Sequence, residues 1–371
     1  MASASRTVVI LASGAALAVA GGVTAFVVTS SNPAPSSKAS VTHVTAAQPP
    51  LRVVSVTPSD GSGGVNGANP VTVTYNQPLP ASAPFPQLTP AVQGTWARSR
   101  DSVIFTPASG FPPSTRVRVT VPGTGATTRS EYSGQFTTAQ YSTLRLQQVL
   151  AQLGYLPLTW TPQAGGTVTP GSPAAQAAAA YSPPAGSFTW QGGYPAQLGG
   201  MWKQGSPNML DTGAIAGFEE AHGMQPNGTA GKAFWAALLK AAAAGQGNPN
   251  GYSYAIASES SPESLTIWHN GRQVLHTPAN TGISVAPTVT GTYFVYLKLS
   301  YQIMSGTNPD GSHYADPVSW VSYFNGGDAV HYFPRGSFGY PQSLGCVELP
   351  YSAAKTSYGY LPYGTLVSVN P

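Results

Sequence analysis

DAVHYFPRGSFGYPQSLGCVELP, residues 328–350, decides how the C-terminal third of this 371-residue chain is read. It opens on a short apolar strand that must pass a core, and that strand carries His331. A loop of Pro, Gly, Ser and aromatic residues follows, and then Cys346, the single cysteine of the chain. One cysteine makes neither an intrachain disulfide nor a zinc cluster, so it asks for a chemical reason. The plain alternative is a buried, inert thiol. A nucleophilic thiol needs a base and N–H donors for the oxyanion. Gly345 lets the backbone turn tightly before Cys346 and frees N–H groups to point at an acyl oxygen. Four histidines compete for the base. His269 falls on a hairpin turn, His276 at a strand end and His313 in a polar loop. His331 lies in an apolar strand, where an imidazole requires a partner. Position favours His331, with a satisfied core histidine as the alternative. Asp328, three residues earlier, is expected on the opposite face of the strand, which argues against an Asp–His pair.

Outward from this stretch, residues 248–371 read as β throughout: YSYAIAS (252–258), SLTIWHNGRQVLHTP (264–278), GTYFVYLK (291–298), VSWVSYF (318–324) and TLVSV (365–369). The turn His269-Asn270-Gly271-Arg272 predicts a hairpin, Asn325-Gly326-Gly327-Asp328 a second one, and SAAKTSYGY (352–360) a short helix. Residues 140–247 change character. STLRLQQVLAQL (142–153), GAIAGFEEAH (213–222) and AGKAFWAALLKAAAA (230–244) read as helices, the first with Ser142 as N-cap. An Ala/Pro/Gly-rich insert, 154–210, separates the first two. Residues 51–139 alternate as about seven short strands (LRVVSV, VTVTYN, GTWARS, DSVIFTP, TRVRVTV and SGQFTT among them) broken by Gly/Pro/Asn/Asp clusters, the pattern of a β-sandwich. Residues 29–50 form a Pro/Ser/Ala-rich linker. The uncharged run Val8–Val28 behind Arg6 is long enough to span a membrane, with a cleaved signal peptide as the alternative. Either reading places the rest of the chain outside the membrane.

Composition agrees with a multidomain, mainly β protein. The chain has 42 glycines, 35 prolines and only 8% charged residues, against 42% apolar ones. A net charge of +4 with no Lys/Arg run speaks against nucleic acid. No metal site and no cofactor are expected, since no second His or carboxylate pair suits His222.

Three resemblances follow. Residues 51–139 resemble bacterial immunoglobulin-like domains, through VVSVTPSDGSGGV, GTWARSRDSVIFTPASGFPPSTRVRVTV and GQFTT. LRLQQVLAQLGYLP with AIAGFEEAHGMQPNGTAGKAFWAALLKA resembles a small three-helix peptidoglycan-binding domain with a long insert. There, His222 is a structural corner residue. ISVAPTVTGTYFVYLK, His331, Ser343-Leu344-Gly345-Cys346-Val347 and the closing YGTLVSV resemble the catalytic domain of the L,D-transpeptidases, the YkuD family. That resemblance implies a β-rich fold with Cys and His across a cleft. It implies a peptidoglycan transpeptidase that forms 3→3 crosslinks through a cysteine acyl-enzyme on tetrapeptide stems. Cys346 is then the nucleophile and His331 the base. The N–H groups of Gly345 and Cys346 form the oxyanion hole, and the Tyr332 carbonyl orients the histidine. Stem peptides and glycan are the implied partners, and carbapenem-type β-lactams the implied inhibitors. Ser343, Arg335, Glu348, Tyr323 and Trp320 are the candidates for substrate contact, and Tyr296, Met304 and Tyr332 further candidates for the cleft lining.

The sequence departs from the family at Leu344, where a histidine is usual, at Glu348, where Arg or Asn is usual, and at Tyr332, where Gly or Ser is common. Glu348 is expected to raise the thiol pKa and to repel a stem carboxylate unless Arg335 restores positive charge. Alternatively, Glu348 receives a cationic amine. A non-catalytic wall-binding scaffold and an L,D-carboxypeptidase stay open as other functions.

Overall fold

The computed structural model describes residues 50–123, 130–166, 168 and 171–371. The apolar run at 8–28 and the linker up to residue 49 lie outside the described residues. Among the described residues, no helix is long and apolar enough to cross a membrane.

Seven strands build the first domain: β1 (Val53–Thr57), β2 (Val71–Tyr75), β3 (Gln87–Thr89), β4 (Gly94–Ser99), β5 (Ser102–Pro107), β6 (Arg116–Pro122) and β7 (Ser130–Thr137). They form two antiparallel sheets, ordered β1-β2-β5-β4 and β3-β6-β7. The alternation seen in the sequence is the alternation of burial. Val71, Val73 and Tyr75 face inward from β2, and Val117, Val119 and Val121 from β6. They meet Val103, Phe105, Phe111 and Phe136 in one core. Each such side chain contributes roughly 1.5–3 kcal/mol by leaving water.

The middle region holds α1 (Thr143–Gln152), β8 (Leu158–Pro162), α2 (Pro173–Tyr181), β9 (Gly186–Trp190), α3 (Ala196–Gly200), α4 (Met209–Ala221) and α5 (Lys232–Ala244). The insert is therefore structured: β8 and β9 pair as a hairpin, and α2 packs on α1 and α5. Ser142 stands before α1 in extended conformation, but its hydroxyl makes no capping bond. His222 ends α4, stacked on Phe218 at 3.9 Å with Nδ1 2.9 Å from the Phe218 carbonyl. Asn66 and the Phe111 carbonyl of the sandwich bond Ser182 and Tyr181 of this region.

The C-terminal region comprises β10 (Ser253–Ser258), β11 (Ser264–His269), β12 (Arg272–Pro278), β13 (Gly291–Phe294), β14 (Leu297–Thr307), β15 (His313–Asn325), β16 (Asp328–Tyr332), β17 (Val347–Leu349), α6 (Tyr351–Tyr360) and β18 (Leu366–Asn370). Five strands run β12-β11-β10-β18-β13, and four run β14-β15-β16-β17. The β11–β12 turn has Asn270 at φ 47° and Gly271 at φ 74°, the two left-handed residues a tight hairpin needs. Between the sheets lie Ala255, Ile267, Val330, Val347, Leu349, Leu361 and Val367, with α6 contributing Ala353 and Ala354.

A core cluster crosses the boundary expected at 247/248. Leu146, Leu150, Ile215, Phe218, Phe234 and Leu238 from the helices pack with Tyr252, Tyr254 and Leu366 from the C-terminal sheet. The backbones come close where α4 meets the turn before β18. A Cβ on Gly213 would stand 2.5 Å from the Gly364 carbonyl oxygen, and one on Gly364 only 2.2 Å from the Gly213 carbonyl oxygen. Glycine at both places is what permits the approach.

Candidate active site

The parallel pair β16–β17 sets the geometry. Val330 is opposite Val347, and His331 is opposite Glu348. Alternation then sorts the side chains. Val330, Val347 and Leu349 enter the core between the sheets. Ala329, His331, Cys346 and Glu348 take the other face. His331 on β16 and Cys346, the residue just before β17, are thus diagonal neighbours at the floor of a cleft of about 830 Å³. The long β14–β15 hairpin supplies one wall, with Gln302, Met304, Tyr314, Asp316 and Tyr323. Ile283 and Leu344 stand on the other.

His331 is 3% exposed. Its Nδ1 lies 3.0 Å from the Tyr332 carbonyl oxygen, an acceptor that requires Nδ1 to carry the proton. Nε2 then holds the lone pair. Burial pushes the His331 pKa below its ordinary value. The Tyr332 carbonyl and the Glu348 charge oppose that shift, and the Arg335 charge adds to it. Cys346 is half-buried as a residue and packs against the cluster of Val318, Val321, Tyr323 and Ala329. Burial, foremost, pushes its thiol up to about 12. An Ala329 backbone hydrogen bond works against that, and the charges of Asp328 and Glu348 add to it. The expected effect of Glu348 is therefore present but comes behind desolvation. The Sγ donates to the Gly327 carbonyl at 3.7 Å, a weak bond that parks the thiol proton away from His331.

The loop before Cys346 is held from within. Ser343 Oγ donates to the Cys346 carbonyl at 2.6 Å and accepts from the Gly345 N–H at 3.1 Å. Of the two N–H groups expected at an oxyanion hole, that of Gly345 is thus turned into the loop. Ser343 itself is 1% exposed, so it shapes the loop from beneath. Gly345 has φ +115°, and a Cβ there would fall 2.5 Å from Asp328 Oδ1; both facts demand glycine.

Glu348 is 5% exposed and pairs with Arg335. Arg335 Nε reaches Glu348 Oε2 and Nη2 reaches Oε1, both at 2.8 Å, and Nη2 also donates to the Gln342 carbonyl at 3.1 Å. The guanidinium lies 4.7 Å above the Phe333 ring. Glu348 is therefore not free to greet a substrate amine on its own, and Arg335 is the one Lys or Arg side chain on the cleft wall among the described residues.

Four placements differ from expectation: Trp320, Tyr332 and Tyr296 are not among the cleft-lining residues, and Asp328 is. Trp320 does not line the cleft. Strict alternation sends residues 320 and 323 to opposite faces, and β15 shifts register between Ser319 and Ser322 with Trp320 at φ 61°. Its ring lies under α6, against Tyr358 and Tyr351. Tyr323 does reach the cleft, its hydroxyl donating to Gln302 Oε1 at 2.8 Å. Conversely, Asp328 joins the cleft lining although its spacing from His331 predicts the opposite face. It is the first residue after the Gly326-Gly327 turn, where the pleat is not yet established. Burial raises its carboxyl pKa, against a Val289 backbone hydrogen bond and one from Asn325. It makes no bond to His331, whose Nδ1 faces Tyr332. The Tyr332 ring turns away from the cleft, 5.1 Å from Tyr351. Tyr296 packs beside Tyr323, its hydroxyl donating to the Gly326 carbonyl, while His269, His276 and His313 bond Ser253, Thr266 and Thr307 outside the cleft.

Residues 252–369 match the family model of the L,D-transpeptidase catalytic domain, and residues 46–143 that of a bacterial Ig-like domain. The chain carries an L,D-transpeptidase catalytic domain. No curated protein matches it. Solved structures that resemble it include an L,D-transpeptidase from Mycobacterium smegmatis, 15% identical, covering 87% of this chain and 100% of its own, with a TM-score of 0.30. L,D-transpeptidase 3 from Mycobacterium tuberculosis in complex with a faropenem-derived adduct is 17% identical over 86% of this chain and 98% of its own, with a TM-score of 0.30. The catalytic domain of the E. faecium L,D-transpeptidase is 26% identical over 32% of this chain and 95% of its own, with a TM-score of 0.29. Within the transpeptidase domain, two of the three departures from the family pattern have separate settings. Leu344 is exposed at the cleft mouth beside the thiol, and Glu348 is buried in its ion pair.

Proposed function

We propose that this protein is a peptidoglycan L,D-transpeptidase that forms 3→3 crosslinks through a Cys346 acyl-enzyme. The observation that carries the reading is that His331 on β16 and Cys346, just before the paired strand β17, both line the floor of the cleft, with His331 Nδ1 committed to a carbonyl. The Nε2 lone pair is then the base. In the resting site both groups stay neutral, because burial disfavours thiolate and imidazolium alike. The thiol turns from Gly327 to His331 Nε2 as a stem tetrapeptide enters. Sulfur attacks the stem carbonyl while Nε2 takes the proton. The Cys346 N–H steadies the oxyanion, and the imidazolium returns its proton to the departing D-Ala amine. An amine of a second stem then attacks the thioester and His331 removes its proton. Asp310 and Asp316 on the cleft wall favour a cationic acceptor over water, and so the transferase over the carboxypeptidase. Carbapenem-type β-lactams are expected to acylate the same thiol. The helical region is proposed to bind wall glycan, and the run at 8–28 to hold the chain at the membrane, facing the wall.

The test is mass spectrometry of products from the purified chain, from residue 50 onward, with tetrapeptide muropeptides. A 3→3 dimer made by the wild type and by neither Cys346→Ala nor His331→Ala is the expected result. Tripeptide alone would establish the hydrolase. No product, with the thiol inert to a carbapenem, would establish the scaffold.

A further inference from the structure

Arg335 and Glu348 connect the two segments that carry the reacting groups. Arg335 lies four residues beyond His331, and Glu348 two beyond Cys346. Arg335 donates two hydrogen bonds to the Glu348 carboxylate and a third to the Gln342 carbonyl. Glu348 also faces His331 directly across the parallel ladder. A carboxylate this buried, beside a thiol that must ionise, is a liability unless a cation neutralises it. The fork of Arg335 is the geometry that does so most completely.

We propose that Arg335 is a positioning residue: its bidentate clamp on Glu348 holds a carboxylate beside the Cys346–His331 couple in neutralised form and ties the histidine segment to the cysteine loop, so that the pair acts on the couple as one unit. The inference rests on the reading of Cys346 and His331 given above. The other charged and titratable groups lining the cleft are Asp328 at the start of β16, Tyr314, Asp316 and Tyr323 from β15 and Asp310 from the β14–β15 turn, with no Lys or Arg besides Arg335 among the described residues. They are the same in every variant below, so the differences belong to the pair.

The experiment measures the pH dependence of two rates: Cys346 alkylation by iodoacetamide, which needs no turnover, and crosslinking of tetrapeptide. Arg335→Met strands a carboxylate beside the couple, which favours the thiol and the imidazolium. The rising limb of the alkylation profile is expected to move to higher pH by about one unit, roughly tenfold in rate at a fixed pH on the limb. Glu348→Gln strands a cation and is expected to move the limb to lower pH. Arg335→Met/Glu348→Gln is expected to return it close to the wild-type position, and Arg335→Lys, which keeps the charge without the fork, to leave it nearly unmoved. Opposite shifts in the singles with cancellation in the double support the proposal. Rates that fall equally at every pH, with no movement of the limb, would overturn it and make the pair a structural tie only. Circular dichroism separates unfolding from either outcome, and Glu348→Gln keeps the test valid should Arg335→Met fail to fold. Shifts in alkylation in a chain that makes no crosslink would leave the inference standing and sink the proposed function. Crosslinking with unshifted alkylation would do the reverse.

Discussion

Ser343 does its work from beneath the loop that presents the thiol. Its hydroxyl satisfies the Gly345 N–H and the Cys346 carbonyl at once, and replacing it by alanine leaves both backbone groups buried without a partner. Ser343→Ala is expected to cost about 1–3 kcal/mol, read as a lower Tm. Cys346 acylation by a carbapenem is expected to slow by about tenfold or more, because the loop loses its pre-set geometry. A variant with wild-type Tm and acylation rate would deny Ser343 that role. The contrast with its neighbours shows what single residues disclose before a structure exists. His331 and Cys346 are legible because each is chemically conspicuous where it stands, an imidazole in an apolar strand and a lone thiol after a glycine. Asp328 and Trp320 are not, because strand parity breaks down beside a two-glycine turn and at a register shift. The Arg335–Glu348 clamp needs the parallel pairing of β16 with β17, which no local pattern announces.

At the scale of an element, α4 carries a buried acid where a surface one would suffice. Asn208 caps the helix by accepting from the Leu210 and Asp211 N–H groups, and Asp211 Oδ2 accepts from the Asn208 N–H and from Gln147 Nε2. Burial nevertheless pushes the Asp211 carboxyl up from 3.8 to about 7, against the hydrogen bonds from Gln147 and Asn208. The folded chain therefore holds this proton more tightly than the unfolded one. The associated stability is present below about pH 4 and is lost as pH rises through 7. Asp211→Asn is expected to match the wild type near pH 4 and to exceed it above pH 7, by on the order of 1–3 kcal/mol. Thermal melts at about pH 4.5 and 8 check this; equal melts at both pH values would contradict it. The helices and hairpins themselves follow the periodicity and turn residues closely. The insert 154–210 does not announce its hairpin and two helices, since its Ala, Pro and Gly carry little pattern.

At the scale of the whole molecule, the sandwich has a core of its own, whereas the helical region shares one with the transpeptidase domain. Gly213 against Gly364 is one of the tight points of that shared packing. Gly213→Val is expected to force the two apart at a cost of about 1–3 kcal/mol. In calorimetry it should lower one joint transition of helices and catalytic sheet while leaving the sandwich transition in place. An unchanged joint transition would mean that the two regions stand independently. Removal of residues 144–245 uncovers Tyr252, Tyr254 and Leu366, so a catalytic fragment cut at 247 is expected to be less stable than the chain from residue 50. The same feature bears on how such a protein is assembled over generations. Exchange of the sandwich for another module severs a handful of polar contacts and no core. Recombination at residue 247 would split a packed interior and leave both daughters with raw apolar faces. The cassette that can travel between genes runs from α1 to β18, wider than the catalytic motif that makes it recognisable.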